Sequence, residues 1–197
     1  MEKKIKETLG TDLIGVYEAT DFLILANADP SLTEDTSKSF EIGRRVVVIG
    51  GGEIASDCMR TALRLGSGDV TCLCNCTETE MSNNNEEAVR MAREEGAKFR
   101  FLTQPVKFIA GADGKLAAVE CVEMRLSEPD AHGHRIPVPV EGSNFSVAAD
   151  TAIISTSTTH LEAYNRGFIS LKDKTLRAVI ENGKKAALEI DEHSNKK

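Results

Sequence analysis

The spacing with the clearest chemical meaning is Gly50-x-Gly52-x-x-Ala55, preceded by a run of valines and isoleucine and interrupted only by Gly51, Glu53 and Ile54. In a strand–turn–helix setting the first glycine makes the turn, the second admits a pyrophosphate, and the third small residue lets helix and strand pack closely. Helix-start amides and the macrodipole would face the phosphates. Gly50, Gly51, Gly52, Glu53 and Ile54 are therefore candidate contacts for a dinucleotide. The competing reading is that these glycines serve packing alone. Cys72, Cys74 and Cys76 form a second pattern. Alternate residues of a strand share a face but stand ~6.5–7 Å apart, too far for adjacent ligation of one zinc. They read as small buried hydrophobes, so no metal site is expected. His132 and His134 flank Gly133 in a polar segment and read as solvated loop residues. No side-chain group stands out as catalytic.

The elements around the glycines follow from pattern. Arg44 to Ile49 suits a strand buried on both faces, and Glu53 to Leu65 suits a helix whose stripe is Ile54, Ala55, Cys58, Ala62 and Leu65, stopped by Gly66. A second strand follows at Asp69 to Cys74. Asn83 with Glu86 three residues on predicts a helix start, with the helix running to about Glu95 before Gly96. Phe99 to Thr103 reads as a third parallel strand, broken by Gln104-Pro105. Val106 to Ala110 and Leu116 to Leu126 then flank the turn residues Ala112-Asp113-Gly114-Lys115, a hairpin signal. Ser127 to Val147, with Pro129, Pro137 and Pro139, reads as an excursion, and Asp150 to Ser155 as a returning buried strand. Before all of this lie a short helix around Ala19 to Ala28 and a linker rich in Pro, Ser, Thr and Asp, so that the core begins near Ile42.

The 197 residues are 41% hydrophobic, with no Trp and 5% aromatic, which suits one α/β domain with an aliphatic core. A formal net charge of −7 and a pI of about 5.2, with scattered basic residues, exclude an electrostatic nucleic-acid binder. No run approaches the ~20 apolar residues of a membrane span, and the start lacks a signal-peptide core, so a cytoplasmic protein with reduced cysteines is expected.

Taken together, Gly15-Val16-Tyr17 with Thr20-Asp21-Phe22-Leu23, Val46 to Asp57, Arg60 to Gly66, Thr77-Glu78 with Glu80-Met81, Phe99 to Pro105, Val119 to Pro129 and Pro137 to Ser143 resemble one family. It is the pyridine-nucleotide-binding domain of the glutamate synthase small (beta) chain family, shared with dihydropyrimidine dehydrogenase. The likeness covers nearly the whole chain from Leu13. It implies a three-layer ββα Rossmann-like α/β domain with a central parallel sheet and a β-hairpin/meander crossover. It also implies residues 1–41 as lead-in helix and linker, 42–177 as the NAD(P)-binding domain and 178–197 as C-terminal helix and tail. In that family the domain passes hydride from NADPH to FAD within a larger complex that includes iron–sulfur parts. The positions that touch cofactor correspond here to Gly50–Ile54, Asn75, Cys76, Thr77 and Ser157.

Several of those positions depart from the family pattern. Glu53 stands where the family commonly has Asn, and its carboxylate opposes an incoming pyrophosphate. Asn75 and Cys76 replace two arginines that grip the adenosine 2′-phosphate, a loss of about 1.5–3 kcal/mol per charged contact. Ser155-Thr156-Ser157 stands where the family usually ends in glycine. No FAD fingerprint precedes the linker, and the flavin segment expected after Thr175-Leu176-Arg177 gives way to a stretch resembling the family's final helix. FAD is thus not expected on this chain alone. The resemblance implies NADP(H), with NAD(H) as the other candidate and with weakened, little-discriminating binding. A degenerate domain kept as a structural or interaction module is the alternative.

Overall fold

The computed structural model describes residues 12–27 and 42–155. Chain order is β1 (Val16–Glu18), α1 (Ala19–Asn27), β2 (Arg45–Ile49), α2 (Glu53–Arg64), β3 (Asp69–Leu73), α3 (Glu78–Glu94), β4 (Lys98–Arg100), β5 (Thr103–Ala110), β6 (Leu116–Leu126), β7 (Pro137–Pro139), β8 (Phe145–Ala148) and β9 (Thr151–Ile154). The linker, Thr156, Ser157 and the proposed C-terminal helix lie outside the described residues.

Val46, Val47, Val48 and Ile49 are all at most 2% exposed, as a strand covered on both faces must be. They pair in parallel with β3 on one side and β9 on the other, giving a five-stranded all-parallel sheet of order β1-β9-β2-β3-β4. Strand alternation then divides the core. Val46, Val48, Val70, Cys72 and Ile153 pack against Phe22 of α1, Ala55, Cys58, Met59 and Ala62 of α2, and Met81, Val89 and Ala92 of α3. Val47, Leu73, Ala152 and Ile154 of the other face are buried too. A second, antiparallel sheet, β5-β6-β7 with β8 on β6, adds the buried Phe108, Leu116, Val119, Val122 and Met124. The architecture is the three-layer ββα arrangement. Among the described residues no helix is long and apolar enough to cross a membrane.

Four details differ from the pattern-based expectation. The lead-in contributes to the sheet: β1 pairs in parallel with β9, and Phe22 is fully buried in the shared core, so the core does not wait for Ile42. On α2, Ile54 and Leu65 are 55% and 44% exposed, and Met59 and Ser56 join Ala55, Cys58 and Ala62 in the buried stripe, because Leu65 is already the C-cap. The helix α3 starts at Glu78 rather than near Asn83. Thr77 and Glu80 form a reciprocal capping box, and the Asn83 region survives as a kink at Asn85, φ −150° and ψ 37°. Finally, β4 ends at Arg100, since Leu102 takes a left-handed φ of 47° and redirects the chain; Pro105 then lies inside β5, where a register shift between Pro105 and Lys107 tolerates it. The excursion after β6 holds the two short strands β7 and β8, with the Asp130 carboxylate accepting from the His132 and His134 backbone amides in the exposed turn between β6 and β7.

Candidate functional site

The glycine turn joins the C-terminal end of β2 to α2 at the place where strand order reverses: β3 and β4 lie to one side of β2, β9 and β1 to the other. In open α/β sheets that switch point is where ligands bind. Gly50 and Gly52 have φ of 122° and 92°, a region that side-chain-bearing residues rarely adopt. A Cβ on Gly51 would meet only the tip of the Met81 side chain, Cε at 2.7 Å, which a rotation of that side chain relieves. Gly52 is the N-cap of α2 and supplies no side-chain cap, leaving the first-turn amides to another acceptor. Glu53 is exposed directly beside them, and Ile54 is solvent-facing rather than core. At the same edge, Ser155 donates its N–H to Ile49 O at 2.9 Å, while its hydroxyl oxygen is buried and has no hydrogen-bond partner. A turn with two glycines at positive φ, uncapped amides and an unsatisfied hydroxyl on one edge fit a phosphate-bearing ligand.

Beneath the turn, Cys72 and Cys74 both donate to Gly50 O, at 3.2 and 3.3 Å, and their sulfurs are 3.4 Å apart. That is closer than ideal strand spacing suggests, because both side chains lean onto the same carbonyl. The Cys74 thiol is held above its ordinary range first by the hydrogen bond to Cys72, and Cys76 likewise by its bond to Cys74, so both stay protonated. Burial pushes Cys58 and Cys121 up to about 12. Among the described residues no group of three or more His, Cys, Asp or Glu could hold a metal ion.

Asn75 and Cys76 stand half-buried just past β3, beside the turn as the motif requires. Thr77 follows, but its hydroxyl is committed to Glu80, to which it donates at 2.7 Å while accepting from the Glu80 amide. Ser157 lies outside the described residues. Two further cations, Arg44 and Arg60, are placed away from the turn or engaged elsewhere. Arg44 precedes β2, at the opposite end of the sheet, where its carbonyl accepts from Gly68 and Asp69; Arg60 is paired with Glu95. Sequence reasoning missed Met81 and Asn85, which α3 places over the glycines, and Arg100 at the end of β4. Met81 entered the sequence reading only through the family resemblance, ahead of the helix expected from Asn83, and the register that brings Arg100 beside β3 is not local.

The fold and the turn define a Rossmann-like α/β domain of the kind found in flavin- and pyridine-nucleotide-dependent oxidoreductases. Among solved structures, FprA from Mycobacterium tuberculosis in complex with NADPH matches with a TM-score of 0.51 at 19% identity, over 76% of this chain and 46% of that one. No protein-family model matches the chain. In sequence, the glutamate synthase (NADPH) small chain of Halomonas elongata is 41% identical over 149 residues, 74% of this chain and 31% of the relative. The corresponding small chain of Escherichia coli K12 is 40% identical over 148 residues, 73% and 31%. The chain belongs to the glutamate synthase small-chain-like oxidoreductase family, and it spans less than a third of the length of these relatives.

Proposed function

We propose that residues 42–177 form the pyridine-nucleotide module of a glutamate synthase small-chain-like oxidoreductase. It binds NADPH or NADH with the pyrophosphate against Gly50, Gly51, Gly52 and the amides of Glu53 and Ile54. The observation that carries this reading is the uncapped N-terminus of α2 behind a glycine turn at the sheet's switch point. The name of each relative given above specifies NADPH, which favours the same nucleotide class here. When bound, the nicotinamide supplies a hydride for a flavin acceptor held by other parts of a parent complex, iron–sulfur parts among them. This chain's own residues bind and orient the dinucleotide: the glycines admit the phosphates, and Asn75, Cys76 and Thr77 border the adenosine end.

A second reading rests on one specific observation. Glu53 is exposed among the amides that should meet the phosphates, and Asn75 and Cys76 bring no cation. Under that reading the domain keeps its fold for packing or partner binding. Calorimetric titration of the purified chain with NADPH and NADH separately decides between them. The binding reading expects saturable binding at a Kd between about 10 μM and 1 mM, abolished by Gly52→Ala, whose φ of 92° disfavours a side chain. Absence of binding at millimolar nucleotide, with binding appearing in Glu53→Asn, gives the second reading.

A further inference from the structure

We propose that Arg100 supplies the cation that meets the adenosine 2′-phosphate in place of the missing arginines at positions 75 and 76. This rests on the dinucleotide reading of the glycine turn. Arg100 is the last residue of β4 and is paired in parallel register with Leu73, so the two side chains share a face of the sheet. The ladder continues one step further, with Cys74 N donating to Arg100 O at 2.9 Å. Cys74 and Cys76 share the helix side, where their thiols are hydrogen-bonded and where both meet the helix-side core. Asn75 lies in the bend that follows β3, and this bend is tied to the segment after Arg100 on both sides, Thr103 N donating to Cys74 O at 2.8 Å and Leu102 N to Cys76 O at 3.0 Å.

The charge of Arg100 is also uncommitted. Every other Arg or Lys on α2, α3 and β4 is ion-paired: Arg60 and Arg64 with Glu95, Arg90 with Glu87 and Glu94, Arg93 with Glu78, and Lys98 with Asp69. Arg100 stands in no ion pair among the described residues. Its guanidinium instead lies over the Phe145 ring, 4.6 Å from the centroid. Arg100 is exposed, and stacking on a ring engages the face of a guanidinium rather than its N–H donors, which suits bidentate contact with a phosphate. A strand-end arginine stacked on an aromatic ring, on the strand next to the one that Asn75 follows, restores one of the two lost cations. It makes the chain selective for a 2′-phosphorylated adenosine, less strongly than two arginines would.

The test compares 2′,5′-ADP with 5′-AMP, and NADPH with NADH, on the wild-type chain and on Arg100→Gln, Arg100→Lys and the Arg100→Gln/Asn75→Arg double variant. The wild type is expected to prefer each 2′-phosphorylated ligand roughly tenfold, the worth of one charge-assisted contact. Arg100→Gln erases that preference with NADH and 5′-AMP affinities within about twofold of wild type. Arg100→Lys keeps part of it, and Asn75→Arg in the Gln background restores it, which a purely structural role for Arg100 would not produce. An unchanged preference in both Arg100→Gln and Arg100→Lys overturns the inference, as does a wild type that binds NADH and NADPH alike; in either case NADH binding keeps the dinucleotide reading standing. Failure of the wild type to bind any of the four ligands at millimolar concentration removes both.

Discussion

Removing the charge of Glu53 should raise dinucleotide affinity and lower stability at the same time, a pair of opposite signs that follows from one position. Glu53 is the first residue of α2, exposed, beside a Gly52 N-cap that offers no side chain to the first-turn amides. An acid there interacts favourably with the helix dipole by about 0.3–1 kcal/mol, so Glu53→Gln should lower Tm by roughly 1–4 °C. Toward a pyrophosphate the sign reverses. Taking one helical turn, ~5.4 Å, as the spacing, two like unit charges in water repel by about 0.8 kcal/mol. With a Debye length of about 8 Å this falls to about 0.4 kcal/mol at physiological salt, or about 0.8 for the two phosphate charges. The variant should therefore bind NADH about fourfold more tightly at physiological ionic strength, and close to ninefold more tightly at 0.01 M, where the Debye length is about 30 Å. Paired calorimetry at the two salt concentrations, with thermal melts of the same samples, reads both signs. A gain that does not change with salt, or a loss of affinity, would refute the placement of the phosphates against these amides.

Two further outcomes follow from the charges and thiols. Asp150 accepts the Arg45 backbone N–H at 3.0 Å and its Nε at 3.1 Å, and the Arg45 side chain holds its carboxyl below the ordinary value of 3.8. A depressed carboxylate stabilises above its unfolded pKa and loses that contribution as pH falls through the folded one. Asp150→Asn should thus cost about 1 kcal/mol at neutral pH, and the two melting curves should converge below pH 3.8; a constant gap across the acid range would contradict this. Alkylation by iodoacetamide at pH 8 should reach Cys76 first and slowly, since it is half-buried and hydrogen-bonded to Cys74, while Cys58, Cys72, Cys74 and Cys121 react only after unfolding. Rapid native-state loss of two or more thiols would show that the ladder under the glycine turn is open to solvent.

What could be read from the sequence was what neighbouring residues encode. The run Val46 to Ala55 carries its strand, turn and helix start within ten positions, each dictated locally, so the turn and its place at the sheet edge were legible. At α3 two start signals compete. Thr77 with Glu80 wins because both halves of the capping box form, and Asn83 with Glu86 leaves only the kink at Asn85. The early end of β4 was not legible: Leu102 has no local preference for a left-handed φ, and takes it because its amide and carbonyl bond Cys76 and Met124 of other elements. Pairing of the three-residue β1 with β9, and the register of Arg100 with Leu73, join segments far apart in sequence and carry no periodic signature. Ile54 shows the limit of periodicity at a helix start, where the first turn faces solvent instead of the core.

The claim that the glycine turn holds the phosphates is tested most directly by titrating the ¹⁵N-labelled chain with NADPH and following backbone amide shifts. The account predicts saturable shifts that are largest at Gly50, Gly51, Gly52, Glu53, Ile54 and Ala55, with a second group at Asn75, Cys76 and Arg100. Shifts confined to the antiparallel β5–β8 layer, or none at millimolar NADPH, would contradict it.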